Sequence, residues 1–196
     1  NIDGTGYTAS YGDAGISDGG DSHHNTYRGN TVHDFTHNNA RGIWTQGKTH
    51  DSLIENNIIT DINASGGLGQ GIDLDGAAEV EWRHTVRGNY ISNVNYAGIQ
   101  LENVFDSLIE NNTIHNTKPA GIIIINYDAG VGCATGGEYN QYGDTNGDDN
   151  CRGDITNNII RQNIITTTSS WGYGYGGIIN WYAGGVNIWG NTINAA

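Results

Sequence analysis

The sequence predicts an all-β fold, a parallel β-solenoid of about six to seven coils, and three observations carry that expectation. The heptapeptide DSLIENN stands at 51–57 and returns at 106–112. It extends into a word of the form x-I-x-[NG]-N-x-[IV], read as TYRGNTV (26–32), LIENNII (53–59), TVRGNYI (85–91), LIENNTI (108–114), DITNNII (154–160) and NIWGNTI (187–193). A second word opens on glycine: GIWTQ (42–46), GIDLD (71–75), GIQLE (98–102), GIIII (121–125) and GIINW (177–181). Both words have the length and β-branched content of short strands, and no 3.6-residue period separates them.

Each position of the repeat has an expected task. Two strands per coil, stacked on their equivalents about 4.8 Å away, place Ile43, Ile72, Ile99, Ile122 and Ile178 in one interior column. Leu74, Leu101 and Ile124 form the next. The repeated asparagines, Asn30, Asn57, Asn89, Asn112, Asn158 and Asn191, are expected to stack their amides as a ladder and satisfy buried backbone groups. The residue before each is Gly or Asn (Gly29, Asn56, Gly88, Asn111, Asn157, Gly190), the types that tolerate positive φ, so the chain turns there. One position earlier stand Arg28, Glu55, Arg87 and Glu110. Their alternating sign on adjacent coils stabilises the pairing and penalises a slipped register.

This pattern resembles the right-handed parallel β-helix, the pectate-lyase-like superfold with its Asn ladder. The resemblance covers roughly residues 25–194. It implies the fold but leaves function open, because the superfold hosts lyases, hydrolases, epimerases, adhesins and fibre proteins. Residues 1–24, rich in Gly and Asp, read as a lead-in or a first irregular coil. Residues 25–196 read as the β-helix, with a long inserted loop at 126–153.

Composition narrows the function. Eight Lys and Arg against 21 Asp and Glu give a net charge of −13. That argues against nucleic acid or an anionic membrane as partner. No apolar run of about 18 residues is present, so no membrane span is expected. The chain opens on Asn1 and contains no Met, as a mature or excised segment would. Cys133 and Cys151 bracket a polar loop; paired, they would stabilise the fold by about 3 kcal/mol and point to an oxidising, extracellular compartment.

Function is expected where the repeats differ. Within DTNGDDNC, the spacing of Asp144, Asn146, Asp148 and Asp149 resembles oxygen-ligand calcium loops, with Gly147 for the sharp turn, although the distant bidentate Glu is missing. Asp73, Asp75 and Glu102 project from one sheet face on neighbouring coils. They read either as a solvated acidic face or as carboxyls for calcium or for acid–base cleavage of a glycan, with Arg41 and Lys48 the nearby bases. Trp171, Tyr173, Tyr175, Trp181 and Tyr182 crowd the last coils, where aromatics suit sugar stacking or a protein contact. The seven histidines lack metal-ligand or triad spacing and read as surface or turn residues.

Two functional expectations follow. The first is an extracellular structural solenoid, calcium-stabilised, that self-associates head to tail into a homo-oligomer or filament, motivated by ends without an amphipathic capping helix. The second is a carbohydrate-active β-helix, a lyase, hydrolase or polysaccharide-binding module, working through Asp73, Asp75 and Glu102.

Overall fold

A computed structural model describes residues 1–6, 13–76, 80–126, 157–167, 176–181 and 183–195. Among them there is no helix; the chain forms parallel strands in three stacked sheets of seven, six and six strands, with a small two-stranded addition. Neighbouring strands are successive coils. This is the solenoid the repeats require, because a strand of three to six residues can bury its apolar side only by stacking on its equivalent.

The glycine word forms the sheet of Ala14–Asp18, Arg41–Gln46, Gln70–Asp75, Ala97–Glu102, Ala120–Ile125 and Ile178–Trp181. Its register aligns Ile16, Ile43, Ile72, Ile99, Ile122 and Ile178. The first of these strands carries a glycine word the repeat search missed, Gly15–Ser17, and another strand of the same N-terminal segment, Ile2–Asp3, joins the third sheet. Glycine opens the word for a packing reason. A Cβ on Gly42, Gly71, Gly98, Gly121 or Gly177 would strike the Cγ2 of Ile59, Ile91, Ile114, Ile165 or Ile193 from the facing sheet. In four of these it would also strike the carbonyl oxygen of the next glycine. The two sheets therefore meet edge to face with no room for a side chain.

The asparagine word forms the second sheet and the start of the third. Its interior column is Ile54, Val86, Ile109 and Ile160, all fully buried, capped by the half-buried Tyr27. The asparagine ladder exists, with one correction. Asn57 accepts at Oδ1 from the backbone N–H and Nδ2 of Asn30, and the same paired contact links Asn57 to Asn89, Asn89 to Asn112, Asn112 to Asn163 and Asn163 to Asn191. The fifth member is thus Asn163, and the word of that coil is IIRQNII (159–165). Asn158 sits at another corner, where its Oδ1 accepts from Ser107 N–H at 3.0 Å and its Nδ2 donates to the Val104 carbonyl. The positive-φ residue before Asn163 is Gln162, at 54°. Gln seldom adopts that region, so the sequence rule favoured the Asn-Asn pair at 157–158 instead.

The re-registered coil extends the charge ladder. Arg161 stands over Glu110 (Nη2 to Oε2, 2.6 Å), as Arg87 stands over Glu55 (Nε to Oε2, 2.7 Å) with Arg28 on the other side of Glu55. Both glutamates are buried beneath the arginines. Asp51 and Asp106, which open the repeated heptapeptide, are themselves positive-φ turn residues, at 56° and 49°. Ser52 and Ser107 follow them at a buried corner.

The reading of the histidines as surface or turn residues needs correction at His37 and His84, which are buried. His84 is buried, with Nε2 3.2 Å from Oε2 of the equally buried Glu81, which also accepts from the Thr45 hydroxyl at 2.7 Å. His23, His50 and Trp82 form a stacked column, with ring centroids 4.9 and 4.5 Å apart, because they fall at the same corner of successive coils. Their spacing along the sequence follows the coil, which is why no local motif announced them.

Candidate functional site

The outward positions of the glycine-word sheet build the most developed polar site among the described residues. Register sets its layout: Trp44, Asp73, Gln100 and Ile123 occupy one row across the coils, and Gln46, Asp75, Glu102 and Ile125 the next. Asp75 and Glu102 are directly paired, so their side chains leave the sheet about 5 Å apart. The turn before each strand adds Asn39, Leu68 and Tyr96. Together with Arg41, Gln70, Gln100 and Glu102 they line a cleft of about 260 Å³.

The acidic face is not the solvated surface that was one expectation. Asp73 is 0% exposed, and Gln70 and Gln100 are each 5% exposed. Arg41 runs along the face: its Nε donates to Asp73 Oδ2 at 2.5 Å, its Nη1 donates to the Asn39 carbonyl at 3.1 Å, and its guanidinium lies 4.2 Å over the Trp44 ring. Trp44 in turn donates its indole N–H to Asp75 Oδ2 at 3.1 Å. Gln100 Nε2 donates to Glu102 Oε2 at 2.9 Å. Of the two bases expected nearby, Arg41 belongs to the site and Lys48 does not line the cleft.

Burial decides the protonation of these carboxyls. It pushes Asp73 up to about 8, with Arg41 only partly offsetting the loss of water and the nearby Asp75 adding to the rise. Glu102 rises to about 7, again from burial first and then from the charge of Asp75. Near neutrality the site therefore contains carboxyls that can donate a proton.

Next to it the same sheet face becomes apolar. Ile123 and Ile125, which continue the two outward rows, are buried with Ala97 and Ala120 under partial cover from Tyr96, Ile179 and Trp181. Trp181, one of the five aromatics singled out in the last coils, thus packs beside the cleft. Trp171, Tyr173, Tyr175 and Tyr182 lie outside the described residues, as do the calcium candidates Asp144, Asn146, Asp148 and Asp149 and the cysteines Cys133 and Cys151. A trio with metal-ligand geometry does occur elsewhere: ligand atoms of Asp3, His33 and Asp34 lie within 4.8 Å of one another. The two nitrogens of His33 already contact Asp34 Oδ2 at 2.6 Å and Asn1 Oδ1 at 3.0 Å.

Residues 8–137 match the family model described as the right-handed beta helix region. The chain belongs to that family. No curated protein and no solved structure matches it. In this β-helix no helix among the described residues is long and apolar enough to cross a membrane.

Sequence reasoning found Asp73, Asp75, Glu102 and Arg41. It missed Gln70, which opens its strand, and Asn39 and Tyr96, which come from the turns that enter the strands. Their signal was available in part, since Gln70 stands immediately before the GIDLD word and is the register partner of Arg41 and Ala97.

Proposed function

We propose that this β-helix acts on a polysaccharide outside the cell, with Glu102 as proton donor and Asp75 as its carboxylate partner. One observation carries the reading: Glu102 lines an open cleft with Asp75 as its direct register partner on the neighbouring strand, and burial keeps Glu102 protonated up to about 7. Glycosidic cleavage needs such a split pair, a protonated acid at the leaving oxygen and a carboxylate opposite, and a separation of about 5–5.5 Å suits the retaining geometry. Arg41 and Trp44 hold Asp75 in place from one side, and Tyr96 offers a ring at the cleft for sugar stacking.

A panel of soluble polysaccharides assayed for new reducing ends tests this. Glu102→Gln and Asp75→Asn are each expected to lower cleavage by about 10²-fold or more while leaving the fold intact. Wild-type cleavage should fall as pH rises through about 7, when Glu102 loses its proton. Cleavage that survives both substitutions, or a wild-type protein that neither cleaves nor binds any glycan, would sink the reading.

A second reading, self-association, has its own observation. Ile188, Trp189 and Ile193, on the strands Asn187–Trp189 and Thr192–Ala195, are 45–48% exposed although they continue interior or ladder columns. Such a face suits stacking by a second copy, head to tail. Sedimentation velocity should then show concentration-dependent association that Ile188→Glu reduces; a strict monomer at high concentration would count decisively against it. Stabilisation by calcium at Asp144, Asn146, Asp148 and Asp149 belongs to this proposal and is checked by a lower melting temperature in chelator.

A further inference from the structure

Building on the carbohydrate reading of the cleft, we infer that its preferred saccharide carries a protonated amine, a hexosamine unit rather than a uronic acid or a plain hexose. The reason is an imbalance of hydrogen-bonding groups. Gln70 Oε1, Gln100 Oε1 and Asn39 Oδ1 are three buried acceptors with no donor, and all three belong to side chains lining the cleft. Buried polar atoms are nearly always paired, so three unmade bonds at one place mark a deficit that an incoming group can fill. The terminal torsion of a Gln or Asn amide is broad, so these oxygens can turn toward a donor that enters the cleft.

The charges point the same way. The titratable and charged groups around the cleft are Arg41, Asp73, Asp75, Glu102 and Tyr96, with one cation against three carboxyls. That cation is already engaged by Asp73, Asp75 and the Asn39 carbonyl. A uronate would add a carboxylate, and more acceptors, to an acidic site already short of donors. A neutral hexose supplies hydroxyl donors but no positive charge. An ammonium brings three donors and a positive charge together. Its arrival would favour the ionised form of Asp73, whose proton burial now retains, while Glu102 keeps the proton that cleavage needs.

Isothermal titration of the whole chain with a glucosamine tetramer, its N-acetylated counterpart and a galacturonate tetramer, at mildly acidic pH, tests the inference. The amine oligomer is expected to bind about tenfold tighter or more than either other oligomer. Its heat should differ between buffers of unlike ionisation enthalpy, because carboxyl protons are released. Gln70→Leu, with the fold verified by circular dichroism, is expected to erase that preference. Equal or tighter binding of the N-acetylated or uronate oligomer, lost in Glu102→Gln, would overturn the amine inference and leave the carbohydrate reading standing. Failure of all three to bind would overturn both.

Discussion

Replacing Asn112 by Ala should destabilise the protein by about 3–5 kcal/mol, a large part of the 5–15 kcal/mol that typically holds a domain folded. Asn112 spends every hydrogen-bonding position of its amide. Its Oδ1 accepts from the N–H and Nδ2 of Asn89, and its Nδ2 donates to the Val86 carbonyl and to Asn163 Oδ1, all at 2.9–3.0 Å. The residue is 1% exposed, so water cannot replace what Ala removes. Two donors on Asn89 and the Val86 carbonyl would be left buried and unpaired, each costing about 1–3 kcal/mol. Asn30 provides the control. It stands at the start of the ladder, half-buried, and its side chain donates only to Asn57. Asn30→Ala should cost about 1 kcal/mol. Urea denaturation of the three proteins checks both values; equal effects at the two positions would show that the ladder's energy does not depend on its burial.

Stability should fall as pH rises from about 4 to about 8, and Asp73 is the main cause. In the unfolded chain an aspartate releases its proton near 3.9. In the native state Asp73 keeps its proton up to about 8. Between these values the folded form binds the extra proton, so each step up in pH favours unfolding, in total by several kcal/mol. Glu102, which titrates at about 7, and the buried Glu81, whose carboxyl is also pushed up by burial, act with the same sign. Asp51 and Glu55 act oppositely, since arginines hold both below the ordinary range, and their contribution is lost in acid. The melting temperature should therefore peak on the acidic side of neutrality. Asp73→Asn keeps an acceptor for Arg41 but cannot ionise, so it should remove most of the decline and be more stable than wild type at pH 8. A melting temperature that is flat or rising between pH 5 and pH 8 in the wild type would mean that Arg41 holds Asp73 ionised.

The correction at the fifth coil shows how far a repeat can be read. TNN at 156–158 matches the word better than RQN at 161–163, and a pattern search prefers it. In three dimensions the choice is made by what stacks. Ile160 falls on Ile109, Arg161 on Glu110 and Asn163 on Asn112, so one register satisfies core, charge and amide columns together. Gln162 accepts its positive φ because those neighbours hold it there.

The site divides along the same line. That Asp73, Asp75 and Glu102 share an outward face followed from alternation along two aligned words. Their chemistry did not. Whether a carboxyl on a sheet face is solvated or protonated depends on what covers it, here Arg41, Trp44, Gln100 and the turns carrying Asn39 and Tyr96. Arg41 and Trp44 reach Asp73 and Asp75 from the neighbouring coil, at a separation set by loop length.

By itself the sequence determined the solenoid, its interior columns, the asparagine ladder and the alternating charges, because each coil repeats one local solution and needs only its neighbour to complete it. The tertiary structure alone decided the register of the coil that follows the long insertion, the burial of Glu81 with His84, and the protonation of Asp73 and Glu102. These depend on desolvation and on partners from distant turns, and a local word carries no record of either.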